Sequence, residues 1–137
     1  MLRMISRILF VDDEPELLLL YAAIAGGKPN WEVFCAQGGA MALGMLETGQ
    51  FNVIVSDMNM PGMSGVDVLQ FARDQRPQMQ RMMLTGLADS SQTKLCQQMG
   101  HTLLLKPCKP AKLLSAIEEL CAASRRAAVE ADLAAAW

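Results

Sequence analysis

The feature that most constrains this fold is the alternation, repeated five times, of a short apolar segment with a segment of helical periodicity. Four of the short segments are nearly continuous apolar runs, which are typical of strands buried on both faces of a sheet. The fifth alternates weakly, which predicts an edge strand. The runs are residues 7–12, 53–55, 81–85 and 102–106, and the edge strand is 31–35. This order predicts an α/β protein with a parallel sheet, helices on both faces and right-handed crossovers.

The segments between the strands carry recognisable helix signals. Pro15 stands where a first helical turn begins, and proline is favoured there. The apolar residues that follow it at helical spacing are Leu17, Leu18, Tyr21 and Ile24. Ala40, Leu43 and Leu46 recur at helical spacing and predict the buried face of a second helix. Asp89 begins a pattern that resembles a capping box, so we expect the fourth helix to run from about residue 90 to 99.

Size and composition narrow the class of protein. The 137 residues, 52% of them hydrophobic, predict one domain with one core, which we place at residues 1–121. A net charge of −2 predicts no direct contact with nucleic acid. The apolar stretches are too short to span a membrane and no signal peptide is evident, so we expect a cytoplasmic protein. The four cysteines lack disulfide or metal spacing, which is typical of free thiols.

Polar side chains follow four of the five predicted strands. Asp12 and Asp13 follow the first, Asp57 the third, Thr85 the fourth and Lys106 the fifth. The carboxyl ends of parallel strands meet at one edge of a sheet, which is where ligands bind in open α/β folds. If the strand order is 2-1-3-4-5, the first and third strands are neighbours, and the three carboxylates share a pocket.

Three neighbouring carboxylates repel one another unless a cation lies among them. A hard divalent ion with oxygen ligands satisfies such a set, and Mg²⁺ fits because it accepts a few carboxylates, waters and a phosphate oxygen. Lys106 and Thr85 would complete a site for a phosphoryl group. Asp57 is then the candidate nucleophile for in-line phosphoryl transfer, which would give an acyl phosphate.

This constellation resembles the receiver domain of two-component response regulators. The resemblance runs from about Arg7 to Leu120 and is carried by four matches in order. They are the acid pair Asp12-Asp13, Asp57 followed by Met-Asn-Met-Pro-Gly-Met-Ser-Gly, Thr85, and Lys106-Pro107. It implies a flavodoxin-like, CheY-like fold: a five-stranded parallel sheet of order 2-1-3-4-5 flanked by five helices.

The resemblance also implies roles. Asp57 would accept phosphate from a sensor histidine kinase or a phosphotransfer protein, with Thr85 following the phosphate and Lys106 pairing with it. Mg²⁺ would be held by Asp12, Asp13, Asp57 and the backbone carbonyl of Asn59. The chain would then be a phosphoacceptor switch and not an enzyme, with intrinsic magnesium-dependent self-phosphorylation and dephosphorylation only. Its partners would be that phosphodonor and an output domain or effector protein, with a homodimer through the last strands and helices as a further expectation. The Lys-Pro bond is expected to be cis, as it often is in the family.

Two positions depart from the family pattern. Receivers commonly carry an aromatic residue three positions before the lysine of strand 5, where this chain has Leu103. We therefore hypothesise that phosphorylation is read out by repacking of the loop from Thr85 to Asp89. Leu87, two residues after the threonine, cannot hold an attacking water by a hydrogen bond.

Other functions compete with this interpretation. Haloacid-dehalogenase-type phosphohydrolases use a strand-tip aspartate but need a second one two residues on, where this chain has Asn59. A flavodoxin-like FMN binder needs a Ser/Thr/Gly-rich loop after strand 1, where Asp-Asp-Glu-Pro stands. A degenerate receiver that acts only as an interaction or dimerisation module is the remaining alternative, and the complete set of acids, threonine and lysine argues against it.

The last segment, residues 122–137, is rich in helix formers. It is either an extension of the last helix or a connecting helix that leads to an output domain or a dimer contact. Val129, Leu133 and Trp137 recur at steps of four, and this apolar face favours the second interpretation.

Overall fold

The computed structural model describes residues 4–86 and 90–136. Strands and helices alternate through the chain as β1 (Ser6–Asp12), α1 (Pro15–Ala25), β2 (Trp31–Gln37), α2 (Gly39–Thr48), β3 (Val53–Ser56), α3 (Gly65–Gln75), β4 (Gln80–Thr85), α4 (Ser90–Gln98), β5 (Thr102–Leu105) and α5 (Pro110–Ala135). The strands form one parallel sheet of order β2-β1-β3-β4-β5. The predicted fold class and strand order are confirmed, and β2 lies at an edge as expected.

The core consists of two apolar layers, one on each face of the sheet. Successive strand residues point to opposite faces, so β1 contributes to both layers. Ile8 and Phe10 pack with α1 and α5, whereas Leu9 and Val11 pack with α2 and α3. All four are essentially inaccessible to solvent. Burial on both faces explains why β1 is a continuous apolar run and does not alternate.

The buried face of α2 differs from the predicted one. Ala40 is exposed and Leu43 is only half-buried, while Gly39, Ala42 and Leu46 are buried. A Cβ atom on Gly39 would lie 2.8 Å from the side chain of a methionine in the loop after β3. Because the two segments approach so closely, only small residues fit at the start of α2. Such positions cannot be recognised from a pattern of large apolar residues.

Helix α5 continues without a break through the C-terminal segment, to Ala135. Val129 and Leu133 are more than half exposed there, so this part of α5 projects an apolar stripe away from the core. The expected division between residues 121 and 122 falls inside the helix and stays a prediction. Trp137 lies outside the described residues. Across 4–86 and 90–136, no helix combines the length and the apolar character that crossing a membrane requires.

His101 is buried at the turn between α4 and β5, far from the acidic strand ends. Its Nδ1 accepts a hydrogen bond of 3.1 Å from Arg81 Nε, and its Nε2 has no partner within the described residues. Burial, with the positive charges of Arg81 and Arg73, lowers the pKa of His101 from 6.5 to about 4. The imidazole is therefore neutral in the folded protein at pH 7, and its role is structural.

We expect the free energy of unfolding to fall as the pH drops from 6.5 toward about 4. In that range the unfolded chain binds a proton that folded His101 does not accept, at a cost of up to about 3 kcal/mol. Urea unfolding at several pH values measures the effect. His101→Gln keeps an acceptor for Arg81 and should lose this share of the pH dependence. Identical pH profiles for the two proteins would contradict the assignment.

Candidate functional site

The pairing of β1 with β3 brings the three predicted carboxylates together. Val11 and Ser56 are register partners, and the next backbone amide, that of Asp57, donates to Val11 O at 2.9 Å. Asp57 therefore lies beside the end of β1, where Asp12 and Asp13 follow. One carboxylate oxygen from each of the three aspartates lies within 4.8 Å of the others. This is the switch point of the sheet, where the crossovers from β1 and β3 leave on opposite faces.

Lys106 reaches the same place from the other side of the sheet. Its backbone amide donates to Thr85 O at 2.8 Å, which continues the pairing of β4 with β5. Its Nζ donates to Asp12 Oδ2 at 3.2 Å and lies 3.5 Å from Asp57 Oδ1. Thr85 is fully buried at the end of β4. The bond between Lys106 and Pro107 is cis, as expected.

The other expected positions are less informative. Asn59 is exposed in the loop two residues after Asp57, and its carbonyl as a metal ligand stays a prediction. Leu103 is half-buried on β5 against the core. Leu87 and Asp89 lie outside the described residues, so the hypothesis of loop repacking and the expected capping box both stay predictions.

The charges at the site do not balance. Burial raises the pKa of Asp57, Lys106 opposes this, and Asp12 adds to it. Burial alone would lower the pKa of Lys106, but Tyr21, Asp57 and Asp12 outweigh it and raise the pKa. One ammonium therefore faces three carboxylates. The remaining negative charge and the all-oxygen donor set fit a hard divalent cation such as Mg²⁺.

Several backbone contacts fix the loop that carries Asp57. Ser56 Oγ donates to Asp57 O at 2.9 Å, and the amide of Gly65 donates to Met58 O at 2.8 Å. Ser64 caps α3, because its Oγ accepts from the Asp67 amide while the Asp67 carboxylate accepts from the Ser64 amide. The start of α3 is thus bonded to the residue that directly follows the candidate nucleophile.

Sequence reasoning missed Tyr21 as part of this site. Its position on α1 predicted a core residue, and it is indeed only 7% exposed. It nevertheless lines a cavity together with Lys106, and each of the two side chains affects the pKa of the other. The sequence signal for a role of Tyr21 was its phenol group, which follows a run of leucines. Helical spacing does not predict which side chain of another element lies beside a given residue.

Without a divalent cation, Asp57→Asn should stabilise the folded protein at pH 7. The pKa of Asp57 is raised in the fold, so its ionised form is disfavoured there, and the amide removes that cost. The gain in Tm should shrink as the pH falls toward the pKa of the carboxyl group, where the wild-type side chain is protonated. Thermal unfolding in EDTA measures it, and added Mg²⁺ should stabilise the wild type more than the variant. A lower Tm for the variant in EDTA at pH 7 would contradict the account.

The sequence is similar to bacterial regulatory proteins along most of its length. It is 29% identical over 127 residues to the uncharacterized transcriptional regulatory protein YesN of Bacillus subtilis, covering 88% of this chain and 33% of YesN. It is 36% identical over 88 residues to the chemotaxis protein CheY of Pseudomonas aeruginosa, covering 62% of this chain and 71% of CheY. The chain thus spans only about a third of YesN.

A solved structure of similar fold and a protein-family model agree with the similarity in sequence. A crystal structure of a CheY-like response regulator receiver domain protein from Methanospirillum hungatei superposes with a TM-score of 0.85 and 29% identity, covering 89% of this chain and 98% of that one. The family model of the response regulator receiver domain matches residues 8–118, a span that contains every residue of the candidate site. With this match over most of its length, the chain belongs to the response regulator receiver domain family.

Proposed function

We propose that this chain is a working phosphoacceptor switch in which Asp57 takes the phosphoryl group. The observation that carries the proposal is the meeting of Asp12, Asp13 and Asp57 within 4.8 Å, with Lys106 Nζ between Asp12 and Asp57. An acceptor carboxylate, acidic ligands and a cation for the phosphoryl oxygens are the parts that phosphoryl transfer needs. All of them lie at one edge of the sheet.

The reaction begins with an Asp57 carboxylate oxygen in line with the phosphorus of a phosphohistidine on the donor protein. The new O–P bond forms as the P–N bond breaks, and the released imidazole keeps the bonding electron pair and takes a proton from water. The product on this chain is an acyl phosphate. Lys106 would pair with the transferred oxygens, and Thr85 would approach them from the end of β4. The protein contributes positioning and charge neutralisation.

Asp12, Asp13 and Asp57, with the carbonyl of Asn59, would hold a Mg²⁺ ion. When bound, the ion would offset the excess of carboxylate charge and neutralise part of the charge on the phosphoryl oxygens. Asp12 is buried with Lys106 as its partner, whereas Asp13 and Asp57 are more accessible. The two accessible carboxylates are therefore the direct ligands in this proposal, and Asp12 supports them.

The natural partners would be a sensor histidine kinase or a phosphotransfer protein as donor, and an output domain or effector as target. The relative YesN is named a transcriptional regulatory protein, and this chain matches about a third of it. We infer a receiver unit at residues 1–121 and a helical linker or extension at 122–137. The exposed stripe of Val129 and Leu133 on α5 would serve a connection or a homodimer contact. A cytoplasmic location is part of the same proposal.

Incubation with acetyl phosphate, followed by intact-mass analysis, tests this function. We expect a single added phosphoryl group per chain in Mg²⁺ and a loss of the adduct when EDTA replaces it. Repeated turnover of phosphate esters would instead indicate a phosphohydrolase of the haloacid dehalogenase type. A chain that gains no mass under any of these conditions would be a degenerate receiver, and the proposal would fail.

A further inference from the structure

Tyr21 connects the candidate site to α1. Its ring stacks on that of Phe10, with centroids 5.4 Å apart and an angle of 25° between the planes. Phe10 is fully buried in β1, two residues before Asp12. The stack fixes the ring in the layer between the sheet and α1, so the direction of the hydroxyl is set by packing and not by solvent.

Tyr21 and Lys106 line the same cavity of about 200 Å³. The other walls are mostly apolar and include Ile24, Leu84 and Leu113. The cavity gives the Lys106 side chain room to move away from the carboxylates, and its flexible four-carbon chain has many rotamers available. Besides Lys106, the lining includes the Tyr21 phenol and the Cys108 thiol, and the phenolic oxygen is the better acceptor for an ammonium group. Burial raises the pKa of Tyr21, so the hydroxyl is neutral at pH 7. The lone pairs of a neutral hydroxyl oxygen can still accept a hydrogen bond from an ammonium group.

We propose that Tyr21 is a positioning residue for phosphoryl transfer: its hydroxyl oxygen holds the Lys106 ammonium against Asp12 and Asp57. The amine then has three oxygen neighbours on three elements of the fold, and its order is established before a phosphoryl group arrives. Ordering that is completed before the reaction does not add to the barrier. The inference rests on the proposed phosphoacceptor function and gives α1 a part in it.

A double-mutant cycle separates this role from simple packing. Tyr21→Phe keeps the stack on Phe10 and removes only the hydroxyl. We expect it to slow phosphate uptake from acetyl phosphate in Mg²⁺ by about threefold to tenfold, which corresponds to the net contribution of one ordinary hydrogen bond. In a Lys106→Ala background the same change should have no effect, because the group through which it acts is gone. Ile24→Val, which trims the same cavity, is the matched control and should leave the rate unchanged.

A second measurement does not depend on phosphate chemistry. The two Hε protons of a lysine give separate NMR resonances only when its side chain is held in one conformation. The Lys106 pair, assigned by its absence in Lys106→Ala, should be resolved in the wild type and averaged in Tyr21→Phe. Equal rates for Tyr21→Phe and wild type, equal slowing in both backgrounds, or an unchanged Lys106 pair would overturn the inference. A wild type that takes up no phosphate overturns the proposed function alone, and the resonances then decide the role of Tyr21.

Discussion

Asp57→Asn is expected to abolish phosphate uptake, with a loss of at least about a hundredfold against wild type, as for other variants that lack the nucleophile. Asparagine preserves the shape of the side chain and the hydrogen bond from its backbone amide to Val11 O. It removes the carboxylate oxygen that would form the bond to phosphorus. The rate of mass gain in acetyl phosphate and Mg²⁺ measures the effect.

Asp74→Asn is the matched control. Asp74 is exposed on α3, where its carboxylate accepts a hydrogen bond from Gln70 at 3.3 Å. The same chemical change there should leave phosphate uptake within about twofold of wild type, because surface substitutions away from a site have small effects. Comparable losses in Asp57→Asn and Asp74→Asn would indicate a general effect of charge and would contradict the assignment of the acceptor.

Gly65→Ala is expected to destabilise the protein by about 3 kcal/mol or more and to impair phosphate uptake. A Cβ atom at residue 65 would lie 2.0 Å from Asp57 O and 2.9 Å from Met58 Cα. Both are backbone atoms, so the collision cannot be relieved by turning a side chain. Either α3 or the loop that carries Asp57 must move. Urea unfolding and the rate of phosphate uptake should therefore change together.

Gly44→Ala tests whether this effect belongs to the site. Gly44 lies inside α2, and an added Cβ there meets no atom within 4 Å. Alanine should stabilise the protein by about 0.5–1 kcal/mol, because glycine is the poorer helix former. A stable, fully active Gly65→Ala protein would show that the close approach of α3 to Asp57 is not required.

The sequence predicted the acidic strand ends because two independent rules coincide there. Continuous apolar runs locate buried parallel strands, and parallel strands place their carboxyl ends on one edge. Asp12, Asp57 and Lys106 each follow such a run, so their proximity required only the strand order. The order was available from the family resemblance, and the register of β1 with β3 then brings the carboxylates together.

Features that depend on lateral contacts between elements were not predictable in this way. The pattern places Tyr21 on the inner face of α1 but gives no information on the side chain it meets. The buried face of α2 was misassigned because Gly39 and Ala42 are small, and their burial reflects close packing and not hydrophobicity. The extent of α5 shows the same limit, because helix formers at residues 122–135 fit both an extension of the last helix and a connecting helix.

The position of the phosphoryl adduct shows most directly whether the acids at the ends of β1 and β3 form an acceptor site. Borohydride reduces an aspartyl phosphate to homoserine, which tandem mass spectrometry of the digested protein locates. After treatment with acetyl phosphate and Mg²⁺, we expect homoserine at position 57 and at no other aspartate. Homoserine at Asp12 or Asp13, or phosphate on a side chain outside this cluster, would contradict it.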